Sequence, residues 1–227
     1  MFIKIERNGG TPHQFPRLMG SDPDHDEIHP RALRSLHEFP QLCSSSPVRL
    51  TIWCKSLLFN GNGYTVFDDS NGKMVFRVEN YACNRREETF LMDFNGNVLL
   101  TIRRCKKKLK ILESWEVYRG DQDVLRLDGQ QEPLIRATKA LGYPSCKIWV
   151  DNGGDGLINY WMNWSRHQRW SKIYRTTSGA SPVAEVNRKC GSAPETLLGK
   201  DVLTLSMQPG MDQAMIMAMI MINDAMR

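Results

Sequence analysis

The chain is 227 residues long, 41% hydrophobic and 24% charged, with a formal net charge of +5 at pH 7. That length suits one domain with a substantial core plus a tail, and is short for two domains. The mildly basic balance permits an anionic partner without requiring one. Six cysteines (Cys43, Cys54, Cys83, Cys105, Cys146 and Cys190) are widely spaced with no C-x-x-C pair, which excludes the usual zinc and redox motifs.

Residues 1–47 read as a poorly ordered N-terminal extension. Pro12, Pro16, Pro23, Pro30, Pro40 and Pro47 interrupt every long helix there, and Ser44-Ser45-Ser46 closes the stretch. His25, His29 and His37 lie near Asp22, Asp24, Asp26 and Glu27, but without a recognised ligand spacing, so a solvated polar tail is expected rather than a metal site. Met1 to Gly10 holds charges and no apolar run. No secretory signal is therefore predicted, and the expected setting is intracellular and reducing, with free thiols. The cytoplasm is the first expectation, with peripheral membrane or nuclear association left open.

From Val48 the texture changes to short alternating runs separated by turn residues. Val48 to Trp53 and Tyr64 to Phe67 read as strands, and Asp68-Asp69-Ser70-Asn71-Gly72 as a turn. Lys73 to Glu79 alternates, with Met74, Phe76 and Val78 on one face. The pattern repeats as a strand over Phe90 to Met92, a turn over Asp93 to Gly96, and a strand with Val98, Leu100 and Ile102 on one face. Further strands are predicted over Trp115 to Arg119, Leu134 to Lys139, Lys147 to Val150, Lys172 to Thr176 and Val183 to Arg188. Repeated strand–turn–strand units make a meander of about ten to twelve strands. An open sheet of that size exposes edges, which a closed barrel removes.

The final stretch is helical. Asp212 is a suitable N-cap after Pro209-Gly210, and Ala214 to Ile222 carries no polar side chain, with Met215, Met217, Met219 and Met221 on every side. A helix apolar all round is buried in a core or in lipid. Fifteen helical residues reach about 22 Å, whereas a span needs about 20 apolar residues, so a core helix is expected and no transmembrane span. Asn223, Asp224 and Arg227 restore polarity beyond it.

At this point the motifs resemble the plant LURP-one-related family. The opening run Trp53 to Asp68, then Phe76 to Tyr81, Leu91-Met92-Asp93, Leu99 to Arg104 and Trp115 to Gly120, follow that family's order. Leu198 to Val202 and Gln208-Pro209-Gly210-Met211-Asp212 resemble its closing strand and central helix. The resemblance covers 48–227, and implies a tubby C-terminal-like domain: a twelve-stranded antiparallel barrel around a hydrophobic C-terminal helix. The wider superfamily is similar to tubby proteins, which bind phosphoinositides, and to phospholipid scramblases; some family members are associated with pathogen defence. Between Val150 and Lys172 the chain is rich in Asn, Gly and Trp where the family pattern implies a simpler acidic strand pair.

Two constellations offer binding chemistry. Arg103, Arg104, Lys106, Lys107, Lys108 and Lys110 put six cations into eight residues at a strand end and loop, suited to multivalent phosphate headgroups. The plainer reading of that run is a solvated hairpin tip. Trp161, Trp164, Arg166, His167, Arg169, Trp170, Lys172, Tyr174 and Arg175 interleave cations with aromatics, suited to stacking or to a lipid headgroup layer, or else to barrel packing. Asp151 to Gly156 fails as a calcium loop, since Gly153 and Met162 stand where carboxylates are needed. The usual signatures of nucleotide-binding, metalloprotease and hydrolase sites are missing. The sequence therefore reads as a non-enzymatic module without cofactor or metal, contacting anionic phospholipid through the 103–110 run. The alternatives are a protein-interaction scaffold using the 161–175 face, with nucleic acid a weaker partner for it, and an enzyme whose site is assembled from distant residues.

Overall fold

The computed structural model describes residues 38–54, 63–80, 88–105, 113–121, 132–139, 144–151, 157–165, 170–177, 179–189, 199 and 201–225. Twelve strands form in chain order. They are β1 (Val48–Trp53), β2 (Tyr64–Asp68), β3 (Met74–Asn80), β4 (Glu88–Asp93), β5 (Val98–Cys105), β6 (Ser114–Arg119), β7 (Ile135–Lys139), β8 (Ser145–Asp151), β9 (Leu157–Ser165), β10 (Trp170–Arg175), β11 (Ala184–Arg188) and β12 (Val202–Met207). Each pairs antiparallel with its sequence neighbours, and β1 closes the ring against β12 from Val48 opposite Met207 to Trp53 opposite Val202. The chain forms the closed barrel expected from patterning, with the twelve strands that the family resemblance implies.

Alternation decides what lies inside. Every strand contributes at least one almost fully enclosed apolar side chain, from Leu50 on β1 through Phe76, Leu100, Ile135 and Met162 to Leu205 on β12. Where the chain must reverse tightly, Gly72 and Gly96 take positive φ (68° and 90°) after an asparagine, a backbone that costs glycine little. Strand β9 escaped the pattern-based reading. Tyr160, Met162 and Trp164 share its inner face while Trp161 stands on the outer one, so the period of two is hidden by aromatics on both sides.

The barrel encloses the helix α1 (Gln213–Ala225), thirteen residues and so about 20 Å long. Ala214 to Asn223 are all buried. Asp212 caps the helix, its Oδ1 accepting from the N–H of Ala214 at 3.0 Å and of Met215 at 3.2 Å. The return to polarity comes one residue later than the sequence suggests: Asn223 is still buried, and Asp224 is the first exposed residue, accepting the hydroxyl of Tyr64.

A short strap from Glu38 to Pro47, within the stretch read as an extension, packs where the helix enters. Phe39 is 8% exposed and joins the core, and its N–H donates to Asp212 Oδ2 at 2.7 Å. Pro40–Leu42 forms one 3-10 turn, Glu38 pairs with Arg119, and Gly210 N–H donates to Ser44 O at 2.7 Å. Asp212 thus serves the strap and the helix with one carboxylate.

Met217→Asp places an unpaired charge where the side chain is wholly enclosed, at a cost of about 3–5 kcal/mol or more. Against a total stability of about 5–15 kcal/mol, the variant is expected in the insoluble fraction; a soluble, cooperatively melting Met217→Asp protein would refute the central-helix architecture. Phe39→Ala should cost about 3 kcal/mol, as for a core aromatic, and lower the melting temperature by roughly 6–12 °C. A loose, solvated strap would give a change within about 0.5 kcal/mol instead.

Candidate functional site

The cationic run divides at the end of β5. Arg103 lies on the barrel's outer face, where its Nε meets Glu88 Oε1 at 2.6 Å and its guanidinium stacks over the Tyr118 ring at 5.3 Å. Glu88 is buried at 2% exposure, and breaking such a pair strands a charge. Arg104 follows on the other face, pairing with Glu113 at 2.5 Å and lying over Trp115 at 5.8 Å. Glu113 also takes Lys139 at 3.3 Å. Both arginines are therefore engaged by glutamates and aromatic rings, while Lys106, Lys107, Lys108 and Lys110 lie outside the described residues.

The aromatic constellation also divides. Trp161 is 39% exposed on the outer wall, directly opposite Lys147 on β8 and Tyr174 on β10. Trp164 points the other way and is 2% exposed within the core, opposite Ser171, so it belongs to the packing and not to an outer face. Trp170 is half-buried, and Lys172 pairs with Glu185 at 3.1 Å. Arg166 and Arg169 lie outside the described residues. Trp53 is the other exposed tryptophan, at 41%, meeting Phe67 edge-on at 6.1 Å.

Topology relates the two constellations. Cys105 at the end of β5 is opposite Ser114 at the start of β6, and Ser165 at the end of β9 is opposite Trp170 at the start of β10. In an up-and-down barrel these odd-to-even strand ends share one rim. Tyr64, which opens β2 on that rim, bonds Asp224, so it is the rim where α1 finishes. The strap and Asp212 occupy the opposite one.

One polar cluster was not singled out from sequence, because its members are 138 residues apart in the chain. Lys189 Nζ donates to Asp69 Oδ1 at 2.8 Å and to the Thr51 hydroxyl, which itself donates to Asp69. Burial pulls the Asp69 carboxyl up, but these hydrogen bonds and the charges of Lys189 and Arg49 outweigh it and hold the group below its ordinary value. The cluster pins β1, the β2–β3 turn and the end of β11 together.

A family model described as LURP-one-related matches residues 48–224. The chain belongs to the LURP-one-related family. It is 35% identical to Protein LURP-one-related 8 of Arabidopsis thaliana over 204 residues, covering 88% of this chain and 97% of that protein. Protein LURP-one-related 5 from the same plant is 35% identical over 179 residues, 77% and 81% of the two chains. An X-ray structure of an Arabidopsis thaliana protein shares the fold with a TM-score of 0.58 at 21% identity, covering 82% of this chain and 95% of that one.

The strap, with Phe39 in the core, precedes the span that the LURP-one-related model matches. Among the described residues of this LURP-one-related barrel, no group of three or more His, Cys, Asp or Glu could hold a metal ion, and no helix is long and apolar enough to cross a membrane. Cys43 and Cys146 are free thiols. Burial pushes the Cys146 thiol up to about 12, and burial beside Asp212 pushes Cys43 up to about 11. Neither can supply a thiolate nucleophile at neutral pH. Under native conditions at pH 8 neither should react with iodoacetamide while the protein is folded, and both should react in denaturant; mass spectrometry of the alkylated peptides checks this. Rapid native labelling of Cys146 would show that the barrel opens.

Proposed function

We propose that this LURP-one-related protein is a non-enzymatic binding module that seats the rim where α1 finishes on anionic phospholipid headgroups, and so acts as a peripherally tethered regulator. The observation that carries the reading is topological. The strand ends flanking the lysines at 106–110 and the arginines at 166 and 169 share that rim, so two cation-bearing connections separated by some 60 residues leave from one end of the barrel. The interior supports the same conclusion, because the side chains of α1 occupy the space in which a barrel of this size would enclose a ligand. Recognition then falls to the rim and outer wall. Each Lys or Arg near an anionic leaflet contributes about 1 kcal/mol, so the four lysines act together or hardly at all.

A second reading rests on Trp161, exposed between Lys147 and Tyr174 on the outer wall: a protein partner held by that face. Co-sedimentation of the full chain with phosphatidylcholine vesicles, with and without phosphoinositide, distinguishes the two. Binding should require the anionic lipid, fall from low to physiological salt as screening shortens to about 8 Å, and drop more than ten-fold when Lys106, Lys107 and Lys108 are changed together to Glu. Absence of binding to any anionic vesicle ends the lipid reading and leaves the Trp161 face as the site to probe.

A further inference from the structure

The outer wall over β6, β7 and β8 carries a groove of about 270 Å³. Register fixes what faces it. Glu116, Arg136 and Trp149 stand directly opposite one another on the three strands, with Ser114 two residues below Glu116 and Asp151 two residues above Trp149 on the same face.

Glu116 lies between two arginines and pairs with neither. Arg103, opposite it on β5, is drawn away to Glu88, and Arg136, opposite it on β7, to Glu132 at 2.6 Å. What orients Glu116 is the Tyr118 hydroxyl, donating to its Oε2 at 2.8 Å. Burial and that bond to Glu116 push the Tyr118 hydroxyl up to about 12, so it keeps its proton and stays a donor at neutral pH. A chain of supports thus runs from buried Glu88 through Arg103, stacked on Tyr118, to a carboxylate held at the groove.

A second, independent feature faces the same space. Ser114 is 7% exposed, and its Oγ is buried with no hydrogen-bond partner. A buried hydroxyl in that state is destabilising, and a ligand donor would relieve it. Four carboxylates (Glu88, Glu116, Glu132 and Asp151) against three cations (Arg103, Arg136 and Lys147) leave the ground negative by one, although the whole chain is basic. Trp149 supplies an indole wall, which favours a cation over its face. Lys147, exposed on the row of Ser114, repels a second positive charge at the lower end.

The geometry points to a receptor slot for a single organic cation, a primary ammonium or guanidinium on an aliphatic stem, with the Lys or Arg side chain of a partner protein as its source. The stem lies along Trp149 and the charge meets Glu116, while Ser114 Oγ accepts one N–H. The volume is smaller than the usual drug-sized pocket and suits one side chain.

The test uses the full-length ¹⁵N-labelled protein titrated with N-acetyl-lysine methylamide, N-acetyl-arginine methylamide, butylammonium and N-acetyl-glutamate methylamide, following the Trp149 indole N–H. The cationic probes should give saturable shifts and the glutamate probe none. Equal responses to butylammonium and the lysine amide would place recognition in the cation and its stem; a stronger response to the amide would place it partly in the peptide. Glu116→Gln, whose amide oxygen still accepts from Tyr118, should weaken binding roughly five-fold or more. Ser114→Ala should weaken binding while leaving the melting temperature unchanged or higher, a split that a merely structural serine would not show. No saturable shift, an equal response to glutamate, or unchanged binding in Glu116→Gln would each overturn the proposal.

Discussion

The rest of the structure depends on enclosing a helix that has no polar side. With side chains, a helix measures about 10–12 Å across, and an eight-stranded barrel already fills with its own side chains. Twelve strands provide the wider bore, and closing β1 on β12 leaves no edge unpaired. The unusual methionine content of α1 follows from the same constraint. Flexible, unbranched thioethers can fit around a full circle of inward strand residues where branched side chains would demand one matched surface.

Such a helix is greasy along its length, so its position is set by polar contacts at its two ends. Asp212 fixes one by accepting from Ala214, Met215 and Phe39, and Tyr64 holds Asp224 at the other. Buried polar contacts with one satisfied geometry specify a register that apolar packing alone leaves loose. Joining the strap to the same carboxylate also ties Phe39 to the cap of α1, 173 residues away in sequence. A filled and anchored interior leaves the loops and the outer wall as the surfaces able to meet a partner.

Much of this was legible in the sequence, and the reasons are specific. Alternating runs bounded by Asn-Gly turns gave the strands, the all-round apolar run gave the helix, and Asp212 was visible as its cap. The resemblance of Trp53 to Asp68 and of the later motifs supplied the strand number. What escaped was whatever depends on side-chain direction or on contacts distant in sequence. Trp161 and Trp164 are three residues apart in one aromatic stretch, yet one is exposed and the other is in the core. The strap looked like more of a proline-rich lead-in, because nothing in Phe39 announces that its backbone N–H meets a carboxylate near the far end of the chain. The groove was hidden for the same reason, its walls coming from three strands.

The cationic run shows how far a charge pattern in sequence can differ from a charge pattern in space. Six cations in eight residues look like one electrostatic object. While the chain is still a strand, alternation sends Arg103 and Arg104 to opposite faces, and each finds its own glutamate and its own ring. Their charge is engaged locally, by Glu88 and Glu113. Arg103 instead acts toward Glu116, since pairing with buried Glu88 and stacking on Tyr118 leave that carboxylate to a hydroxyl rather than to a cation. Arg103 thus stands between the two surfaces proposed above, the rim for an anion and the wall groove for a cation.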